Sequence, residues 1–487
     1  MPLRRANNIF LSNSFFIFIA RFFPMLANLL VTIWYSRHLP QHTFGNYQYF
    51  WIQLNIMYPL LCFGIHALII TYSKTMLANI LSRIRRGYYL LFLLWMLSLS
   101  AVFAYMQYDA GSVPFLISFL FILSFAVNTI IESVLIVFRR YNVLMVTGLL
   151  YALAYCAIHR YALGNGFSIR AIFSMLLIAG LLRTFVHCLA VIKEVQKDTD
   201  GYEVEDVDVP GVRSLWLHLG IYDISQMLFS WIDKFVISLV LSASLSAIYY
   251  NGAQNIPFLP MLLSAAGSAV LLQLAGNMQQ YGETRHTILL VNQMGRVLSC
   301  IVFPVFCFLY FFRNELIVNL LSEKYIPAIP IFAISVLALP VKAYSFTSVL
   351  QRMHKGGIIN AGALADLVLA CALMYPLYLW LGLPGVALSF VISTYLQAAF
   401  YLYYTGRLLG ISPLRLIPLG NWLAKLIVFA TVFIAIHYIG SIYFTGRFTL
   451  ILGAIAVMVT AAISLGIELY WHRRHGAASK TKFKEYR

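Results

Sequence analysis

Six basic side chains lie inside stretches that are otherwise hydrocarbon: Arg21, Arg183, Lys234, Arg296, Lys342 and Lys425. Five acids sit at similar depth: Glu132, Asp223, Asp233, Asp366 and Glu468. A charge at the centre of a membrane helix costs roughly 2.5–3.5 kcal/mol on insertion scales, so it is kept to serve a pathway or to pair with a neighbouring helix. Fixed cations in a poorly screened cavity suit an anionic head group such as a phosphate. Arg21, Lys342, Lys234 and Arg183 are the candidates for that cationic cavity; for Arg183 a pair with an acid such as Glu132 is the alternative. Arg296 lies near a span end and is expected to snorkel, while Lys425 and Glu468 are expected to be peripheral. Asp223 and Asp233 are the candidates for holding a coupling ion. At about 100° per residue, Asp223 and Lys234 fall on nearly one helix face and Asp233 points elsewhere.

A second group offers hydrogen bonds and ring faces rather than charge: Tyr47, Tyr249, Tyr250, Asn251 and Asn255, with Gln48 and Gln53. They suit sugar hydroxyls; ordinary polar packing between helices is the competing reading. The sequence has no phosphate-cradling loop, Gly-x-Ser-x-Gly or His-Glu-x-x-His motif, so it is not expected to be an enzyme. The six cysteines (62, 156, 188, 300, 307 and 371) fall in apolar runs without ligand spacing, and neither a metal nor a cofactor is expected.

These residues must be held by membrane helices. The chain is 61% hydrophobic and only 10% charged, with a mean hydropathy of +0.82. A soluble domain is nearer a quarter charged. The net charge of +17 is spread singly over short loops, which argues for membrane topology and against nucleic acid. About 20 apolar residues cross roughly 30 Å of hydrocarbon. Fourteen candidate spans follow: 14–34, 47–72, 88–107, 113–138, 142–163, 169–192, 214–240, 247–275, 291–312, 327–350, 357–381, 384–406, 418–438 and 448–471. The expected fold is an all-α polytopic membrane protein. With both termini cytoplasmic, inner loops carry most of the Lys and Arg, including Arg83, Arg85, Arg86, Arg139 and Arg140, and outer loops only Arg37, Arg160, Arg170, Arg313, Lys324 and Arg447.

Residues 193–213 hold seven of the 17 acids and read as an acidic cytoplasmic linker. It divides an N-terminal six-helix lobe (1–192) from a second one (214–408), followed by two extra spans and a basic tail (409–487). Thr43 to Gly64 and Ser246 to Gly267 share length and a small/Tyr/Pro pattern, as repeated bundles would. Pro59, Pro257 and Pro260 allow bends in spans two and eight.

The order of motifs resembles a known family. Asp233-Lys234 inside a span, then Ala247-Ile248-Tyr249-Tyr250-Asn251-Gly252-Ala253, then an apolar run with Pro, echoes Ser36-Arg37-His38-Leu39-Pro40 and Thr43-Phe44-Gly45-Asn46-Tyr47 before another such run. Leu321-Ser322-Glu323-Lys324-Tyr325 opens a third. Over about the first 400 residues this resembles the Wzx-like polysaccharide and O-antigen flippases of the multidrug/oligosaccharidyl-lipid/polysaccharide superfamily. The resemblance implies two pseudo-symmetric six-helix bundles plus two C-terminal helices in a bacterial inner membrane. It implies translocation of undecaprenyl-pyrophosphate-linked oligosaccharide by alternating access, with proton or sodium coupling and other polysaccharide-assembly proteins as partners. The alternatives are a membrane enzyme of polysaccharide assembly, for which the outer loops are short, and a multidrug exporter of the same superfamily.

Overall fold

The computed structural model describes residues 22–72, 74–111, 113–197, 209–253, 283–353 and 355–484. Arg21, Asn255, Pro257 and Pro260 lie outside these residues, as does the middle of the acidic stretch. Ten helices among the described residues are long and apolar enough to cross a membrane, eleven if the bent second span is counted as one. Apart from breaks in the second and tenth, the expected spans coincide with helical chain over their described parts. The protein is an all-helical, multi-pass membrane protein.

The chain divides into two compact units, residues 1–247 and 248–487. Unit 1 contains α1 (22–38), α2 (Gln41–Cys62), α3 (Ile65–Thr71), α4 (Lys74–Arg83) and α5 (Arg86–Asp109). It continues with α6 (Phe115–Val137), α7 (Tyr141–Gly164), α8 (Ile169–Lys197) and α9 (Val209–Val240). Its core is aromatic: Phe50 of α2 touches Phe103 of α5, Phe121 of α6 and Phe173 of α8, with ring centroids 5.3, 5.2 and 3.7 Å away. The seventh span, α9, packs on α2 and α3 and so belongs to this unit. At about 1.5 Å per residue its 32 residues measure ~48 Å, more than the hydrocarbon needs. Both ends of the acidic stretch are helical, as the last turn of α8 and the first of α9, and Glu194 is bound there by Arg140.

The second span is broken. Pro59 has no N–H for the helix ladder, and four residues on Phe63 and Gly64 both adopt left-handed φ, at 40° and 68°. No helix continues through two such residues, and α2 and α3 meet at 54°. The carbonyls freed at the break are taken by indoles. Trp95 Nε1 donates to Leu60 O at 3.0 Å and Trp216 Nε1 to Phe63 O at 2.7 Å. This satisfies backbone groups that hydrocarbon cannot.

Unit 2 begins within α10 (Ala243–Gly252) and holds α11 (Glu283–Phe311), α12 (Ile329–Val336), α13 (Gly356–Leu381), α14 (Leu383–Leu409), α15 (Leu419–Tyr443) and α16 (Gly446–Lys484). Its hydrophobic core joins α11 to α15 and α16 through Phe303, Phe429, Phe433 and Leu450. The last two helices are bolted to α11 as well. Lys425 donates to Arg296 O at 2.7 Å and Ser299 Oγ at 3.1 Å, and pairs with Glu468 at 2.9 Å. The tenth span is the other departure from a continuous helix. It is an α-helix over Ile329–Val336, then turns and a 3-10 segment, Pro340–Ala343, before a short helix at Ser348–Arg352.

Candidate functional site

Lys342 sits on that 3-10 segment, half-buried and in contact with a neighbour. Pro340 cannot donate to the ladder, and Tyr395 Oη donates 3.0 Å to Leu337 O at the end of α12. Non-helical backbone at membrane depth persists only where protein covers it or water reaches it, so this turn is a place built for a polar group.

Among the described residues, the other two expected cavity cations, Arg183 and Lys234, are matched by acids. Arg183 on α8 meets Glu132 on α6 at 2.6 Å and lies 5.1 Å over the Tyr151 ring of α7. Asn128 donates to Glu132 at 2.6 Å, its oxygen faces His187 Nδ1 at 2.9 Å, and His187 Nε2 meets Thr147 Oγ1 at 2.7 Å. A cavity of about 40 Å³ beside Arg183 and Tyr151 has room for a water or two. The ion-pair alternative for Arg183 is therefore the arrangement present. Lys234 and Asp233 were expected to point apart; instead the lysine stem curls round the helix and Nζ meets both carboxylate oxygens at 3.1 Å. Both are buried, so in this conformation their charges cancel locally.

Asp223 differs from Asp233. Its Oδ1 lies 3.9 Å from His66 Nε2, its Oδ2 is buried without a hydrogen bond among the described residues, and both side chains keep 20% exposure. His66, on the short helix past the break, was not anticipated, because a span-by-span reading does not bring α3 against α9. Asp366, buried in α13 with the Ser393 hydroxyl beside it, also has a carboxylate oxygen without a hydrogen bond among the described residues.

The expected sugar contacts that are described are buried. Tyr47 Oη lies 3.0 Å from Tyr155 Oη and 2.8 Å from His159 Nε2, wholly inside unit 1. Tyr249, Tyr250 and Asn251 are buried in unit 2. The face of α2 that is open carries His42, Asn46 and Tyr49, at i, i+4 and i+7. With Ser238 and Ser246 they line a cavity of about 340 Å³, and among the described residues no Lys, Arg, Asp or Glu lines it. It forms where the start of α2, the end of α5 and the α9–α10 turn converge. Gly45 permits the approach: a Cβ there would stand 1.9 Å from Ala243 O.

Buried charges, two interrupted spans and, among the described residues, ten or eleven helices long and apolar enough to cross a membrane mark a polytopic membrane protein. Among solved structures, the chain is similar to the lipid II flippase MurJ in an inward closed conformation, at TM-score 0.63 and 15% identity over 94% of this chain and 98% of that one. It is also similar to a multidrug resistance MATE family transporter of the MOP superfamily in an inward-facing conformation, at TM-score 0.55 and 12% identity over 80% and 94%. A MATE in complex with MaD5 matches at TM-score 0.55 and 14% identity, over 82% and 94%. The sequence matches no family profile and no curated protein. At these identities the likeness establishes the fold, which is that of MurJ and the MATE transporters.

Proposed function

We propose that the protein is a flippase that moves undecaprenyl-pyrophosphate-linked oligosaccharide, the repeat unit of an O-antigen or other surface polysaccharide, across a bacterial inner membrane by alternating access. Both termini are cytoplasmic in this reading, and a proton or sodium gradient supplies the drive. Residues 1–192 and 214–408 act as the two six-helix lobes, with the acidic stretch 193–213 between them and 409–487 as an addition.

The observation that carries the reading is Lys342, a half-buried cation on broken backbone at membrane depth. With Arg21 it gives the pyrophosphate its counter-charge. The uncharged cavity under His42, Asn46 and Tyr49 suits the sugar head, which asks for hydrogen bonds and a ring face rather than charge. The similarity to a lipid II flippase supports a lipid-linked substrate. Asp223 is the carboxylate for the coupling ion, since Lys234 already occupies Asp233.

A multidrug exporter is the second reading, and Asp366 favours it: a buried acid with no cationic partner among the described residues suits a cationic drug. Deleting the gene and scoring surface glycan separates the two. The flippase reading expects loss of surface polysaccharide, restored by the native gene and not by Lys342→Ala. Normal surface glycan with raised sensitivity to cationic drugs would overturn it.

A further inference from the structure

We propose that His66 and Asp223 together form a proton-binding site that sets the angle of the broken second span. This rests on the reading of the chain as an ion-driven transporter, and it names both the ion and the partner residue.

The geometry is specific. Gly64 and Gly220 meet backbone to backbone, where a Cβ on Gly64 would stand 2.5 Å from Gly220 N. That contact is the pivot between α2–α3 and α9. His66 lies two residues past Gly64 and Asp223 three past Gly220, so the two ionisable groups face each other just beyond the pivot. Their 3.9 Å separation is longer than a hydrogen bond and short enough to become one by a small swing of α3. α3 is short, seven residues, and two left-handed residues cut its hydrogen-bond ladder off from that of α2. Partial exposure of both side chains gives a proton a way in.

With one proton on the pair, imidazolium faces carboxylate and α3 is drawn onto α9. When the proton leaves, a lone carboxylate stands beside a neutral ring and the attraction is gone. Cys62 of α2 and Tyr222 of α9 lie near Asp223, and both are neutral groups at ordinary pH. Glu132, the one acid or base on α6, is held by Arg183. On α9, Asp233 and Lys234 hold each other, and Arg213 and His218 are exposed. Trp216, whose indole caps Phe63 O, ties α9 to the break itself. A proton taken up at His66–Asp223 is thereby coupled to the shape of span two.

Hydrogen exchange on the full-length protein in lipid nanodiscs tests this without a substrate. The pH is varied from about 5 to about 8, the range in which an ordinary histidine changes charge. Amides over 59–72 are expected to be protected at the acid end and to open towards the alkaline end. His66→Gln and Asp223→Asn should each flatten that dependence, and Asp223→Glu, which keeps a carboxyl, should retain it. A flat profile in the native protein, an unchanged profile in the two amide variants, or a loss of response in a folded Asp223→Glu protein overturns the proton site. If Asp223→Asn does not fold, His66→Gln decides alone. None of these results touches the flippase reading, which fails instead if lipid-linked glycan is not moved by a protein whose pH response is normal.

Discussion

Gly64 and Gly220 touch through their backbones, and this is why span two can break without opening a gap in unit 1. Gly64 carries φ +68° as well, so it meets two demands that only glycine satisfies together. Gly111 has a similar φ, +64°, with nothing within 4 Å of its missing Cβ. Gly111→Ala should therefore cost only left-handed strain, about 1–2 kcal/mol. Gly64→Ala should cost that and the collision with Gly220. Thermal unfolding in detergent is expected to place Gly64→Ala clearly below Gly111→Ala; equal midpoints would show that the close contact is absent.

The Arg183–Glu132 pair predicts an asymmetry. Arg183→Ala leaves a carboxylate in the membrane interior and should cost about 3–5 kcal/mol. The double change Arg183→Met with Glu132→Leu removes both charges and should be much closer to native, within a few kcal/mol in either direction. A double variant as unstable as the single one would mean that the pair does not act as a unit.

Tyr47 and its neighbours on α2 separate packing from binding. Tyr47→Phe strips a hydroxyl from Tyr155 and His159 and should destabilise by about 1–3 kcal/mol. Asn46→Ala and Tyr49→Ala touch the cavity and should lower glycan export with little change in thermal midpoint. The reverse pattern would return the sugar contact to Tyr47 and remove the role of the cavity.

The membrane class and the position of the described spans were legible in the sequence, because length and apolarity are local signals. Pro59 signalled the bend in span two, but the break falls at Phe63 and Gly64. It depends on Gly220 and Trp216, more than 150 residues away, and no local pattern reveals that contact. The tenth span read as a continuous apolar run, and hydropathy does not register that Pro340 ends its helix. A helical wheel separated Asp233 from Lys234 because it fixes side-chain directions at Cβ, whereas a lysine stem is long enough to reach back to its neighbour. Tyr47 was chosen for its chemistry, which is right for sugar and equally right for a buried partner of His159. His66 went unnoticed because its meaning comes only from Asp223 on another helix.

The central claim is most directly tested in proteoliposomes holding the purified protein and a lipid-linked oligosaccharide, with a membrane-impermeant glycosidase outside to report arrival in the outer leaflet. Native protein should move the glycan to the enzyme, and Arg21→Ala and Lys342→Ala should each reduce the movement to the rate of empty vesicles while inserting normally. Native protein that moves no more glycan than empty vesicles, or both variants moving it at the native rate, would contradict the account.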